Sequence, residues 1–70
     1  MEYLVIRFPH PRRVIINENF QGRTNELIEL EGGKYTVSLE PVSPFRPDSQ
    51  AIDLRNTSAL APMTIRFEED

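Results

Sequence analysis

A chain of 70 residues with no cysteine and a formal net charge of −3 leaves little room for a deep catalytic cleft, has no disulfide staple, and opposes the neutralisation of phosphates on which nucleic-acid binding rests. Its longest apolar runs, Tyr3 to Ile6 and Ala59 to Met63 (counting Pro62), fall well short of the about 20 residues of a membrane-spanning helix. A single domain over residues 1–70 is expected, with a radius of gyration of about 11 Å.

Tyr3 to Phe8 alternates and predicts the first strand, with Leu4, Ile6 and Phe8 on one face. Pro9-His10-Pro11 ends it, because two prolines remove two backbone donors and push His10 into an extended conformation. Arg13 to Asn17 is the second strand. The next residues, from Asn17 to Phe20, suit a tight primed hairpin, since asparagine tolerates the left-handed region, and Phe20-Gln21 then begins a short return strand. Gly22 is expected at a bulge or a positive φ.

Leu27 to Glu31 and Lys34 to Glu40 alternate on either side of Gly32-Gly33, which predicts a second hairpin. Pro41 to Asp48 holds three prolines and is expected to be a loop outside any sheet. Gln50 to Arg55 resumes the alternation, Asn56-Thr57-Ser58 makes a turn, and Met63 to Glu68 closes the chain. No segment sustains a 3.6-residue period. The expectation is an all-β fold: a small antiparallel β-sandwich or curled sheet of six to seven short strands. Its core would comprise Leu4, Ile6, Phe8, Val14, Ile16, Ile28, Leu30, Tyr35, Val37, Leu39, Ile52, Leu54, Met63, Ile65 and Phe67.

Val14-x-Ile16-Asn17, a turn, Gly22-Arg23-Thr24, an alternating strand to Leu30 and Gly33-Lys34-Tyr35-x-Val37 together resemble the PEGA domain over Val14 to Leu39. The resemblance implies a small β-sandwich-like unit that serves as a non-enzymatic appendage of prokaryotic envelope or surface proteins. It lends no catalytic residues. The chain departs from the family pattern at Asn17-Glu18, where Asp-Gly is common, and at Asn25, where a proline often follows the threonine. No basic and apolar leader follows Met1, so the chain as written is expected in the cytoplasm, or at the envelope or surface if it belongs to a longer PEGA-like protein.

Chemistry-bearing motifs are few. Gly32-Gly33-Lys34 lacks the earlier glycine and the following Ser or Thr of a phosphate-binding loop, since Ile28 and Tyr35 stand there. Glu29 and Glu31 share one outward phase and suit a solvated face that protects a sheet edge. No catalytic, metal or cofactor residue is expected. A small enzyme built on His10, the lone histidine, is the weakest alternative, because no serine sits in a nucleophile motif.

Two clusters remain. Arg7, His10, Arg12, Arg13 and Arg23 make the first, of which Arg7, Arg12 and Arg13 would lie close if the first two strands paired antiparallel, giving either a contact for nucleic acid, an anionic ligand or a partner, or a basic rim that balances nearby acids. Tyr3, Val5 and Ile15, with Leu27, lie on the phase opposite the core and would form an interface for a protein partner or a second copy, unless they are merely scattered surface apolar residues. The favoured expectation is a non-catalytic module working through protein–protein contact, without nucleic acid.

Overall fold

The alternating segments become nine strands in the computed structural model, which describes residues 1–70: β1 Glu2–Arg7, β2 Arg13–Ile16, β3 Asn19–Arg23, β4 Leu27–Leu30, β5 Gly33–Leu39, β6 Phe45–Arg46, β7 Gln50–Leu54, β8 Met63–Arg66 and β9 Glu68–Glu69. A three-stranded sheet in the order β4-β1-β8 packs against a four-stranded sheet in the order β3-β2-β5-β7, and β6-β9 forms a small third sheet. The fold is all-β, with a Cα radius of gyration of 11.2 Å.

Every long strand except β3, which is exposed along its whole length, sends one phase inward. Leu4 and Ile6 from β1, Ile28 and Leu30 from β4, Val14 and Ile16 from β2, Val37 and Leu39 from β5 and Leu54 from β7 join Phe8 and Phe67 in one buried cluster. Tyr35, Ile52, Met63 and Ile65 pack partly buried against it. All fifteen residues expected in the core therefore face it, and Phe45, not expected there, joins them.

The β2–β3 hairpin forms as expected. Asn17 and Glu18 both take positive φ (48° and 70°), the signature of a primed turn whose twist matches its strands. Asn17 also extends the ladder with β5, since its N–H donates to the Thr36 carbonyl and its Oδ1 accepts from the Thr36 N–H, both at 2.9 Å.

Four expectations need correction. The segment Gly32-Gly33 makes no hairpin: β4 pairs with β1, whereas β5 pairs with β2 and β7, so the glycines carry the chain between sheets. Gly33 does need its freedom there, at φ 151°. Next, β1 and β2 do not pair, because Pro9-His10-Pro11 takes the chain from one sheet to the other. A third departure is that β1 pairs in parallel with β8, with Leu4 opposite Met63 and Ile6 opposite Ile65. Finally, the proline-rich segment holds a strand after all: Phe45 pairs with Glu69 and Arg46 with Glu68, while the Phe45 ring meets Phe67 edge-on at 5.7 Å. The apolar anchor of Phe45 overrides the prolines around it. The seven longer strands match the expected number, and β6 and β9 are the additions.

Crossing between sheets leaves backbone groups at the strand ends that side chains satisfy. Thr24, only 2% exposed, donates its hydroxyl to the His10 carbonyl (2.8 Å) and accepts from the Arg12 N–H (2.9 Å). Asn25, at φ 64°, donates its amide to the Phe8 carbonyl (2.8 Å) and accepts from the Phe8 N–H (3.3 Å), so its side chain acts as one more strand residue. Proline, fixed near φ −65°, could not take this position.

Candidate functional site

The β2–β3 hairpin carries the most distinctive surface. Ile15 lies opposite Phe20 and Arg13 opposite Arg23, so β3 uses three residue steps where β2 uses two. That extra residue is a β-bulge, and Gly22 sits in it at φ 75°. In a regular strand, residues three apart point to opposite faces. The bulge restores Arg23 to the face of Phe20, which places Arg13, Ile15, Phe20 and Arg23 together on the outside of the four-stranded sheet.

The Arg13 guanidinium carbon lies 3.6 Å from the centroid of the Phe20 ring, which is 51% exposed. Arg13 Nη1 also reaches Glu40 Oε2 at 3.4 Å, whereas Arg23 takes part in no ion pair. Like charges opposite one another across a sheet repel, and Glu40 offsets only the charge of Arg13, so Arg23 still favours an acidic neighbour.

On its other side, Ile15 faces Ser38 of β5, whose hydroxyl donates to the Asp48 carbonyl at 2.7 Å and tethers the proline-rich segment beside it. An open groove of about 690 Å³ results, lined by Ile15, Pro41, Val42, Pro44 and Phe45 among others. Val42 stands 68% exposed at its lip. An apolar strip thus runs from Phe20 across Ile15 into the groove, bordered by Arg13 and Arg23 at the β2–β3 hairpin and by Asp48 and Asp70 at the groove.

The two clusters expected from sequence are each divided by the sheets. Tyr3, Val5 and Leu27 lie on the outer face of the three-stranded sheet, with Val5 opposite Leu27, but Ile15 belongs to the other sheet, so the four do not form one patch. Leu27 shields Val5, which is 8% exposed, and itself remains 48% exposed. The cause is the β1–β2 crossover already described.

Among the basic residues, Arg13 and Arg23 share a face, whereas Arg7 lies on the opposite sheet beside Arg66. Arg12 is withdrawn from the surface at 9% exposure. Its guanidinium donates to the Glu40 carbonyl (3.3 Å) and to Ser43 Oγ (2.8 Å) and lies 5.0 Å from the Phe8 ring centroid, a structural clamp on the proline-rich segment. Meanwhile, His10 is exposed, with Nε2 2.9 Å from Glu69 Oε2. No group of three or more histidine or carboxylate side chains is placed to hold a metal ion.

The sequence reading missed Thr24 and Asn25 as structural polar residues, Phe45 as an anchor and Arg66 as the neighbour of Arg7. Thr24, within the Gly22-Arg23-Thr24 step, and Asn25 beside it stood out in the sequence, but neither pointed to the hydrogen bonds it makes. Glu2 was also missed: the Thr57 hydroxyl (2.6 Å) and the Thr57 N–H (2.8 Å) both donate to its Oε1 and hold its carboxyl below the ordinary value of 4.5. The same Thr57 hydroxyl oxygen accepts from the Tyr3 N–H at 2.7 Å, tying the turn before β8 to β1.

No helix is present that could cross a membrane. A scan against protein-family models gave no match, and searches of curated proteins and of solved structures gave none either.

Proposed function

We propose that the chain is a non-catalytic β-sandwich module, similar to a PEGA domain, that works through protein–protein contact at the outer face of its four-stranded sheet. The observation that carries this reading is the bulge at Gly22, whose positive φ glycine takes without strain, and which brings Arg23 onto the face of Phe20 and opposite Arg13. A centre of apolar and aromatic side chains with arginine beside it is the composition enriched in protein interfaces. The unpaired charge of Arg23 selects a partner segment that carries acidic residues around an apolar anchor. A standard interface takes about 800 Å² from each partner. The total accessible surface is 4518 Å², so such a contact would engage most of this face and the adjoining groove.

Fluorescence polarisation with a labelled peptide alternating glutamate and leucine tests the surface. Binding should be lost in Phe20→Ala and Arg23→Glu and kept in Leu27→Glu, which alters the other sheet. Equal loss in Leu27→Glu, or equal binding of a lysine–leucine peptide, would refute it. A second copy is a poor occupant of this face, because a two-fold contact would bring Arg13 and Arg23 of both chains together. Sedimentation at tens of micromolar should accordingly show a monomer. Nucleic acid should bind more weakly than about 10⁻⁵ M at physiological salt. A tighter complex that disappears in Arg13→Ala/Arg23→Ala would replace the protein-contact reading with a nucleic-acid one.

A further inference from the structure

We propose that Arg7 and Arg66 form a binding site for one compact oxyanion, a phosphate or phosphomonoester group, on the sheet opposite the docking face. The two residues are register partners on the parallel strands β1 and β8. Neighbouring strands lie about 4.8 Å apart, so side chains at register positions on one face stand side by side. Val5 and Thr64, two residues earlier, occupy the same outward phase, and both arginines are exposed.

Neither side chain takes part in an ion pair, although three carboxylates lie close by in sequence to Arg66. Those carboxylates are engaged elsewhere. Glu68 and Asp70 each lie 3.6 Å from Arg46, and Glu69 lies 2.9 Å from His10. Arg46 thus takes Glu68 and Asp70, and neither Arg7 nor Arg66 has a carboxylate within ion-pair distance. Like charges in register repel, and an anion bridging both would relieve that repulsion.

The space fits such an anion. Arg7 and Arg66 line an open groove of about 430 Å³, with Phe8, Pro9 and Phe67 among its apolar walls. A guanidinium offers paired donors in one plane, which match two oxygens of a phosphate, so two adjacent guanidiniums can hold three or four oxygen contacts. Glu68 and Glu69 line the same groove.

The test is a titration of the full chain, followed by NMR of the arginine Nε–Hε signals at constant ionic strength. One arm uses inorganic phosphate and the other glycerol 3-phosphate, with chloride as the control anion. The signals of Arg7 and Arg66 should shift and saturate, while those of Arg23 and Arg55 stay in place. Tighter binding of glycerol 3-phosphate would assign a phosphomonoester, and equal binding would assign phosphate itself. Arg66→Gln should weaken binding at least about tenfold, as loss of one charge-assisted bidentate contact predicts. In buffer without phosphate, Arg66→Gln should melt no lower than the wild type, because it removes the repulsion; a merely structural arginine would lower the melting temperature. Equal shifts at Arg23 and Arg55, or unchanged affinity in Arg66→Gln, would overturn the proposal. It is independent of the docking face, since Arg23→Glu should leave phosphate binding intact.

Discussion

Replacement of Gly22 by alanine isolates the bulge from everything else in the molecule. A Cβ at this position would lie 2.8 Å from Cγ1 and 3.0 Å from Cδ1 of Ile28, closer than real Cβ contacts allow. Ile28 is 6% exposed and belongs to the core, so its branched side chain can yield only by leaving its rotamer. That displacement costs about 0.5 to 1.5 kcal/mol. The backbone adds to it, because φ is 75°, and an L-residue in the left-handed region costs about 1 to 2 kcal/mol. The sum is about 1.5 to 3.5 kcal/mol, against a total stability of roughly 4 to 10 kcal/mol for a domain of this size. At about 4 to 8 °C per kcal/mol, the melting temperature should fall by about 6 to 28 °C. Gly32→Ala is the control: its φ is not positive, and its nearest neighbours, Glu2 Cγ and the Leu54 carbonyl, lie at an ordinary 3.5 Å. It should change stability by no more than about 0.5 kcal/mol. Thermal melts followed by circular dichroism decide between the two. Indistinguishable melting temperatures for the two variants would mean that β3 is not bulged at Gly22, and Arg23 would lose its place on the docking face.

Glu2 should give the protein an acid-sensitive component. Its carboxyl is held low first by the Thr57 hydroxyl and then by the Thr57 N–H, so this stabilisation is complete above the ordinary value of 4.5 and is lost as pH falls through the lower folded value. Urea melts at a series of pH values should therefore show a gap between wild type and Glu2→Gln at pH 7 that closes below about pH 4.5; a gap that is constant with pH would refute the assignment. Thr24→Val removes both hydrogen bonds of a buried hydroxyl and strands the Arg12 N–H, at a cost of about 1 to 3 kcal/mol in chemical denaturation. Asn25→Ala should cost a similar amount, about 1 to 3 kcal/mol, and should accelerate hydrogen exchange at the Phe8 amide. Arg12→Lys should not rescue the loss of stability of Arg12→Ala, because a single ammonium cannot reach the Glu40 carbonyl and Ser43 Oγ while stacking on Phe8.

Period-two alternation made the inward phase readable. A residue such as Ile28 or Val37 has to face the core whichever strand lies beside it, so the core could be assigned without knowledge of the pairing. Strand partners were not legible in the same way. Gly32-Gly33 between two alternating runs suits a hairpin locally, yet β4 completes the sheet of β1 and β5 that of β2, a choice made by long-range packing. The interface expected from Tyr3, Val5, Ile15 and Leu27 failed to assemble for that reason: outward phase is a local property, and membership of one sheet is not. Asn17-Glu18 was readable because a primed turn depends on the backbone preferences of its own two residues. The register that sets Arg23 against Arg13 was half visible. Gly22 pointed to a bulge, but the side chain that the bulge would redirect became known only from the pairing with β2.

The parallel pairing of β1 with β8 also has a consequence for synthesis. Leu4 finds Met63 and Ile6 finds Ile65, so the central strand of the three-stranded sheet completes its ladder only with residues made nearly sixty positions later. Long-range pairings of this kind favour slow folding. The emerging chain will hold β1 half-matched on the ribosome, with the β2–β3 hairpin the earliest piece able to close on its own. Released fragments ending at Ser58 should therefore be cleaved readily by protease within β1, and the chain through Asp70 should resist.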